Sequence, residues 1–65
     1  MENFDINSIV KIVRENERFW VIVSEILQNG ECFGIINSQL ITRLFKQNDR
    51  IRFFKNEIID IWESD

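Results

Sequence analysis

Sixty-five residues carrying a formal net charge of −3 leave room for one compact unit, a single domain over 1–65, and no second lobe to form a cleft. The chain has no histidine and one cysteine, Cys32. This excludes an internal disulfide, falls short of a structural zinc site, and removes the commonest general base.

With 45% hydrophobic and 12% aromatic residues, apolar material is ample. A core at this size supplies only about 3 to 5 kcal/mol, so self-association is the ordinary device left for extra stability. The opening Met1-Glu2-Asn3-Phe4-Asp5 places no basic stretch ahead of an apolar run, unlike a signal peptide. The longest apolar run, Phe19 to Val23, is far shorter than the roughly 20 residues of a membrane-spanning helix. A cytoplasmic protein with no membrane partner is therefore expected. Abundant Ile and Asn, with no Ala, Pro, His or Tyr, suggest an A/T-rich bacterial or viral genome, and host cytoplasm if viral.

The first strand is expected over Ser8 to Val13, where Ile9, Val10, Ile12 and Val13 are β-branched. A polar turn, Arg14 to Arg18, follows. The second strand, Phe19 to Leu27, places Phe19, Val21 and Val23 on one face and Trp20, Ile22 and Ile26 on the other, so it reads as central. Asn29-Gly30 signals a hairpin with a type I′ turn, since both residues tolerate positive φ, and a third strand, Glu31 to Asn37, pairs back. Ser38 is placed to cap a short helical turn carrying Leu40, Ile41, Leu44 and Phe45, which would plug an open barrel end. Gln47-Asn48-Asp49 reads as a turn. Two more strands follow: Arg50 to Phe54, alternating Arg50, Arg52, Phe54 against Ile51, Phe53, and Ile58 to Trp62, alternating Ile59, Ile61 against Ile58, Asp60, Trp62. The pattern predicts a mainly β fold: a small five-stranded barrel or a strongly bent antiparallel sheet with one short helical turn.

The series Phe19-Trp20-Val21, Val23, Gly30, Gly34, Asn37, Leu44, Asp49, Ile51, Ile58 and Asp60 resembles a small bacterial family of unknown function. In that family an aromatic-Trp-Val strand leads through Gly-x-x-x-Gly-x-x-Asn to Gly-Asp before a strand and ends in Ile-x-Asp. The resemblance runs from Phe19 to Trp62. Asn48 stands where the family has Gly, keeping the left-handed option, and no proline follows Asn37. What the resemblance implies is an SH3-like small barrel; it implies no activity.

No residue pattern points to catalysis. Cys32 beside Phe33 in a strand reads as a small buried hydrophobe. Glu15, Glu17, Glu57 and Asp60 read as solvated acids. Gly30 and Gly34 lack the lysine and helix of a phosphate loop; Gly34 instead suits close packing by a neighbour such as Trp20. No cofactor motif is present.

Charge distribution carries the functional signal. Arg43, Lys46, Arg50, Arg52 and Lys55 share one segment with a single acid, Asp49, a local +4 that leaves −7 for the rest of a chain of net −3. Phe45, Phe53 and Phe54 interleave with these cations, as in nucleotide and single-strand sites. Arg50 and Arg52 pairing with acids across a sheet would give the same sequence. An acidic chain lacks the field that draws extended nucleic acid, so a compact anionic ligand or a protein partner fits better. The expected ligand residues are Arg43, Lys46, Arg50, Arg52, Lys55 and Phe54.

Strands apolar on both faces predict a homo-oligomer anchored by Trp20, Phe54 and Trp62. Taken together, the expectation is a non-enzymatic, self-associating binding protein that sequesters a small anionic, nucleotide-like ligand, in the manner of phage counter-defence proteins. The alternative is an interaction module or inhibitor acting on a host or partner protein.

Overall fold

The computed structural model describes residues 4–37 and 48–63. They form one antiparallel sheet of five strands, β1 (Ile9–Arg14), β2 (Glu17–Ile26), β3 (Glu31–Ile36), β4 (Arg50–Phe54) and β5 (Ile58–Ile61). Their hydrogen-bonded order is β4-β3-β2-β1-β5, with β2 central as expected. The helical turn expected over Leu40 to Phe45 lies outside the described residues.

β4 and β5 are opposite edges of the sheet, yet only the 3-10 turn Lys55–Glu57 joins them. In a flat sheet, four interstrand spacings would hold these edges about 19 Å apart. A 3-10 segment from Phe54 to Ile58 advances only about 8 Å. The sheet is therefore strongly bent, with an open seam between β4 and β5.

Between β1 and β2 the chain turns in two residues, Glu15 (φ 52°) and Asn16 (φ 65°), the left-handed pair of a type I′ hairpin. The polar stretch is thus a tight turn, and Glu17 and Arg18 belong to β2. The β2–β3 connection is not type I′: Gly30 alone is left-handed, at φ 90°. Here the Asn29 side chain accepts the Glu31 N–H at 2.9 Å, and the Gly30 N–H reaches the Leu27 carbonyl at 3.2 Å. An Asn that binds the backbone two residues on favours this longer loop. Asn48 takes the left-handed conformation at φ 72°, as its place in the turn before β4 requires.

Val10, Ile12, Phe19, Val21, Val23, Cys32, Ile36, Ile51 and Phe53 form the core, and Phe4, Ile26, Ile58 and Ile61 pack against it. Two bulges alter the simple alternation. One lies between Val23 and Glu25, so Ser24 and Glu25 both face solvent and Ile26 turns inward with Cys32. Another sets Lys11 and Ile12 against Asp60 and Ile58, so Ile58 and Ile61 both face the core while Ile59 and Asp60 are exposed. Gly34 admits a close neighbour, but the neighbour is Val21: a Cβ at Gly34 would collide with Val21 Cγ1 and stand 2.6 Å from the Ile22 carbonyl oxygen.

Candidate functional site: the outer side of β4

β4 alternates as its sequence predicts, with Ile51 and Phe53 buried and Arg50, Arg52 and Phe54 outward. Strand pairing sets Arg52 opposite Phe33 and Arg50 opposite Ile35. The Arg50 guanidinium lies 4.3 Å from the centroid of Phe33. Its ion pair with Glu25, at 3.7 Å, is between side chains 65% and 53% exposed, so it contributes little to stability. The Arg52 side chain makes no hydrogen bond or ion pair with the described residues. β4 thus presents Arg50 over the ring of Phe33 and Arg52 at the register position opposite that residue, with Phe54 next on the same face of the strand. Lys55 follows, exposed, in the 3-10 turn. Arg43 and Lys46 lie outside the described residues.

Around β4, which pairs only with β3 among the described residues, runs a trough of about 470 Å³. Ile36 and Ile51, then Arg50, Arg52 and Phe54, and Asp49 with Arg14 and Glu57 line it. Arg14 and Glu57 form a forked pair: Arg14 Nη2 donates to Glu57 Oε2 at 2.8 Å and Oε1 at 3.0 Å, and Arg14 Nε donates to Oε2 at 3.2 Å. The same Nη2 donates to the Arg52 carbonyl at 2.8 Å, and Glu57 Oε1 accepts the Phe54 N–H at 2.9 Å. Sequence reasoning missed this pair. Glu57 reads as a solvated turn acid, and nothing local links it to an arginine 43 positions away.

The expected anchors Trp20 and Trp62 meet edge to face, with centroids 5.6 Å apart, and Lys11 Nζ sits 5.3 Å from the Trp20 centroid. Ile9, Trp20, Asn37 and Trp62 line an open hollow of about 190 Å³. Phe54 does not join them. It lies two strands from Trp20, opposite Glu31, and is 43% exposed.

Cys32 is fully buried and its thiol points at the Gly30 carbonyl, 3.7 Å away. Burial pushes its pKa up; Lys55 opposes the shift and Glu31 adds to it. Such a thiol is held in its unreactive, protonated form. Among the described residues no three His, Cys, Asp or Glu side chains are grouped to hold a metal ion, and no helix is long and apolar enough to cross a membrane. Compared with protein-family models, with curated proteins and with solved structures, the chain matches none.

Proposed function

We propose that this protein is a non-catalytic binding module, built on an SH3-like bent sheet, that holds a compact nucleotide-like anion against the outer side of β4. The observation that carries this proposal is Arg52. Its guanidinium has no acidic partner among the described residues, and it stands across the strand from an aromatic ring that Arg50 already covers. Arg50 and Arg52 supply charge-assisted donors to a phosphate, and Phe54 supplies an exposed ring for a base. With Asp49 and the paired Arg14–Glu57 alongside, the charge favours one small anion over a long polyanion. Such a protein acts by sequestering what it binds.

Titration calorimetry with mono-, di- and cyclic nucleotides tests the proposal against the variant Arg50→Ala/Arg52→Ala. Charge-assisted hydrogen bonds contribute about 1.5 to 3 kcal/mol each, so the double variant loses at least about a hundredfold in affinity. Unchanged binding in that variant, or no binding by the parent, refutes it. Trp62, 57% exposed against Trp20, favours a second role in protein contact. Capture of a protein partner that Trp62→Ala abolishes would establish that role.

A further inference from the structure

The Glu57 carboxylate fills a ready-made anion position. Four hydrogen bonds converge on it: Arg14 Nε and Nη2 donate three, and the Phe54 N–H donates the fourth. A guanidinium fork joined by a backbone amide receives a phosphate as readily as a carboxylate.

The edge of β4 brings these donors together. The Lys55 N–H bonds to the Gly30 carbonyl, toward β3, so by alternation the Arg52 carbonyl and the Phe54 N–H point to the opposite side. Arg14 meets the first of them and Glu57 the second. The bond from Arg14 Nη2 to the Arg52 carbonyl, at 2.8 Å, holds the guanidinium at this edge independently of Glu57. Arg14, Arg50, Arg52 and Phe54 line one trough. It therefore contains three arginines, and Glu57 neutralises Arg14.

Glu57 is a removable occupant. It is half-buried at the end of an exposed turn, so rotation of its side chain vacates the position while the strands stay in place. Whatever replaces it must carry more charge than a carboxylate. A terminal phosphate monoester carries about −1.5 to −2 near pH 7 and offers three oxygens. A cyclic phosphodiester carries a single charge, as Glu57 does, and has no such advantage.

We propose that Glu57 is the resident occupant of a phosphate position built by Arg14 and the Phe54 N–H, and that it selects nucleotides ending in a phosphate monoester over cyclic ones. The selection rests on the anion-binding reading of β4. A linear nucleotide displaces the carboxylate and gains Arg14. A cyclic nucleotide leaves Glu57 in place and is held by Arg50 and Arg52 alone.

The test is titration calorimetry near pH 7 with adenosine monophosphate and cyclic adenosine monophosphate, on the parent, Glu57→Gln, Arg14→Ala and Arg50→Ala/Arg52→Ala. The parent prefers the linear nucleotide about tenfold, the effect of one further charge-assisted contact less the displacement of Glu57. Glu57→Gln, a neutral and weaker partner for Arg14, opens the position to both ligands, so the cyclic nucleotide tightens and the preference narrows to about threefold or less. Arg14→Ala removes the preference by weakening the linear nucleotide alone. Glu57→Gln keeps an oxygen for the Phe54 N–H, and it decides should Arg14→Ala fail to fold. A preference unchanged in Glu57→Gln, or a parent that binds the two alike or favours the cyclic one, overturns the selection by Glu57; if Arg50→Ala/Arg52→Ala still loses binding, the anion site itself stands. No binding of either nucleotide, by the parent or by Glu57→Gln, overturns that site and the selection with it.

Discussion

Replacing Glu57 by alanine removes two restraints at once. The forked contact with Arg14 joins side chains 28% and 24% exposed, between the surface pairs that contribute up to about 1 kcal/mol and the buried ones whose breakage costs about 3 to 5 kcal/mol. An intermediate loss of about 1 to 2 kcal/mol is expected there. The Phe54 N–H loses its acceptor on the open edge, for about another 1 kcal/mol. The total, about 2 to 3 kcal/mol, is a large share of the stability of so small a domain. At about 4 to 8 °C per kcal/mol, Tm should fall by about 10 to 20 °C. Glu57→Gln keeps an oxygen for Phe54 and one bond from Arg14, so it should lose about half as much. A double-mutant cycle with Arg14→Ala, read by thermal and urea denaturation, should give a coupling of about 1 kcal/mol or more. A fall in Tm of less than about 4 °C for Glu57→Ala, or additive single variants, would refute the role assigned to this pair.

Gly34→Ala should destabilise by about 2 to 3 kcal/mol or prevent folding, because the new Cβ meets the Ile22 carbonyl as well as Val21, and backbone cannot step aside; urea denaturation measures it. Glu15→Gly should raise stability by about 0.5 to 1 kcal/mol, since Glu15 holds φ at 52° without need of its side chain, and a rise in Tm checks it. Cys32 should resist a thiol reagent near pH 8 in the folded protein and react at once in urea. Because folding raises this pKa, its contribution is fully present below the ordinary value of 9.0 and is lost as pH rises through the folded value, so the fall in stability at alkaline pH should be smaller in Cys32→Ala than in the parent.

The strand pattern was readable because β-branched and aromatic residues alternate with polar ones, and Arg50, Arg52 and Phe54 show their outward face on that basis alone. Ile26 and Ile58 were misplaced for one physical reason: a bulge adds a residue to one strand, reversing inward and outward from there on, and its effect on pairing is not marked in composition. Asn29-Gly30 was readable as a turn but not as a turn type, because the Asn side chain's own hydrogen bond decided between two loops that both accept this dipeptide. The Arg14–Glu57 pair depends on how far the sheet curls, a property of the whole fold. The cation–ring contact of Arg50 with Phe33 likewise depends on the β3–β4 register, which links residues that no local window contains.

Strand β1 is made before β2, β3 and β4, yet its outer neighbour is β5, made after all of them. Until Ile58–Ile61 emerges, β1 exposes an unpaired row of amides, and Arg14 has no carboxylate to fork around. Closing so long a loop costs entropy before any contact rewards it. The sheet is therefore completed only when β5 docks on β1. A chain cut before Ile58 should not persist as a smaller folded unit; it should aggregate through β1, and a stop codon there should cost the whole protein.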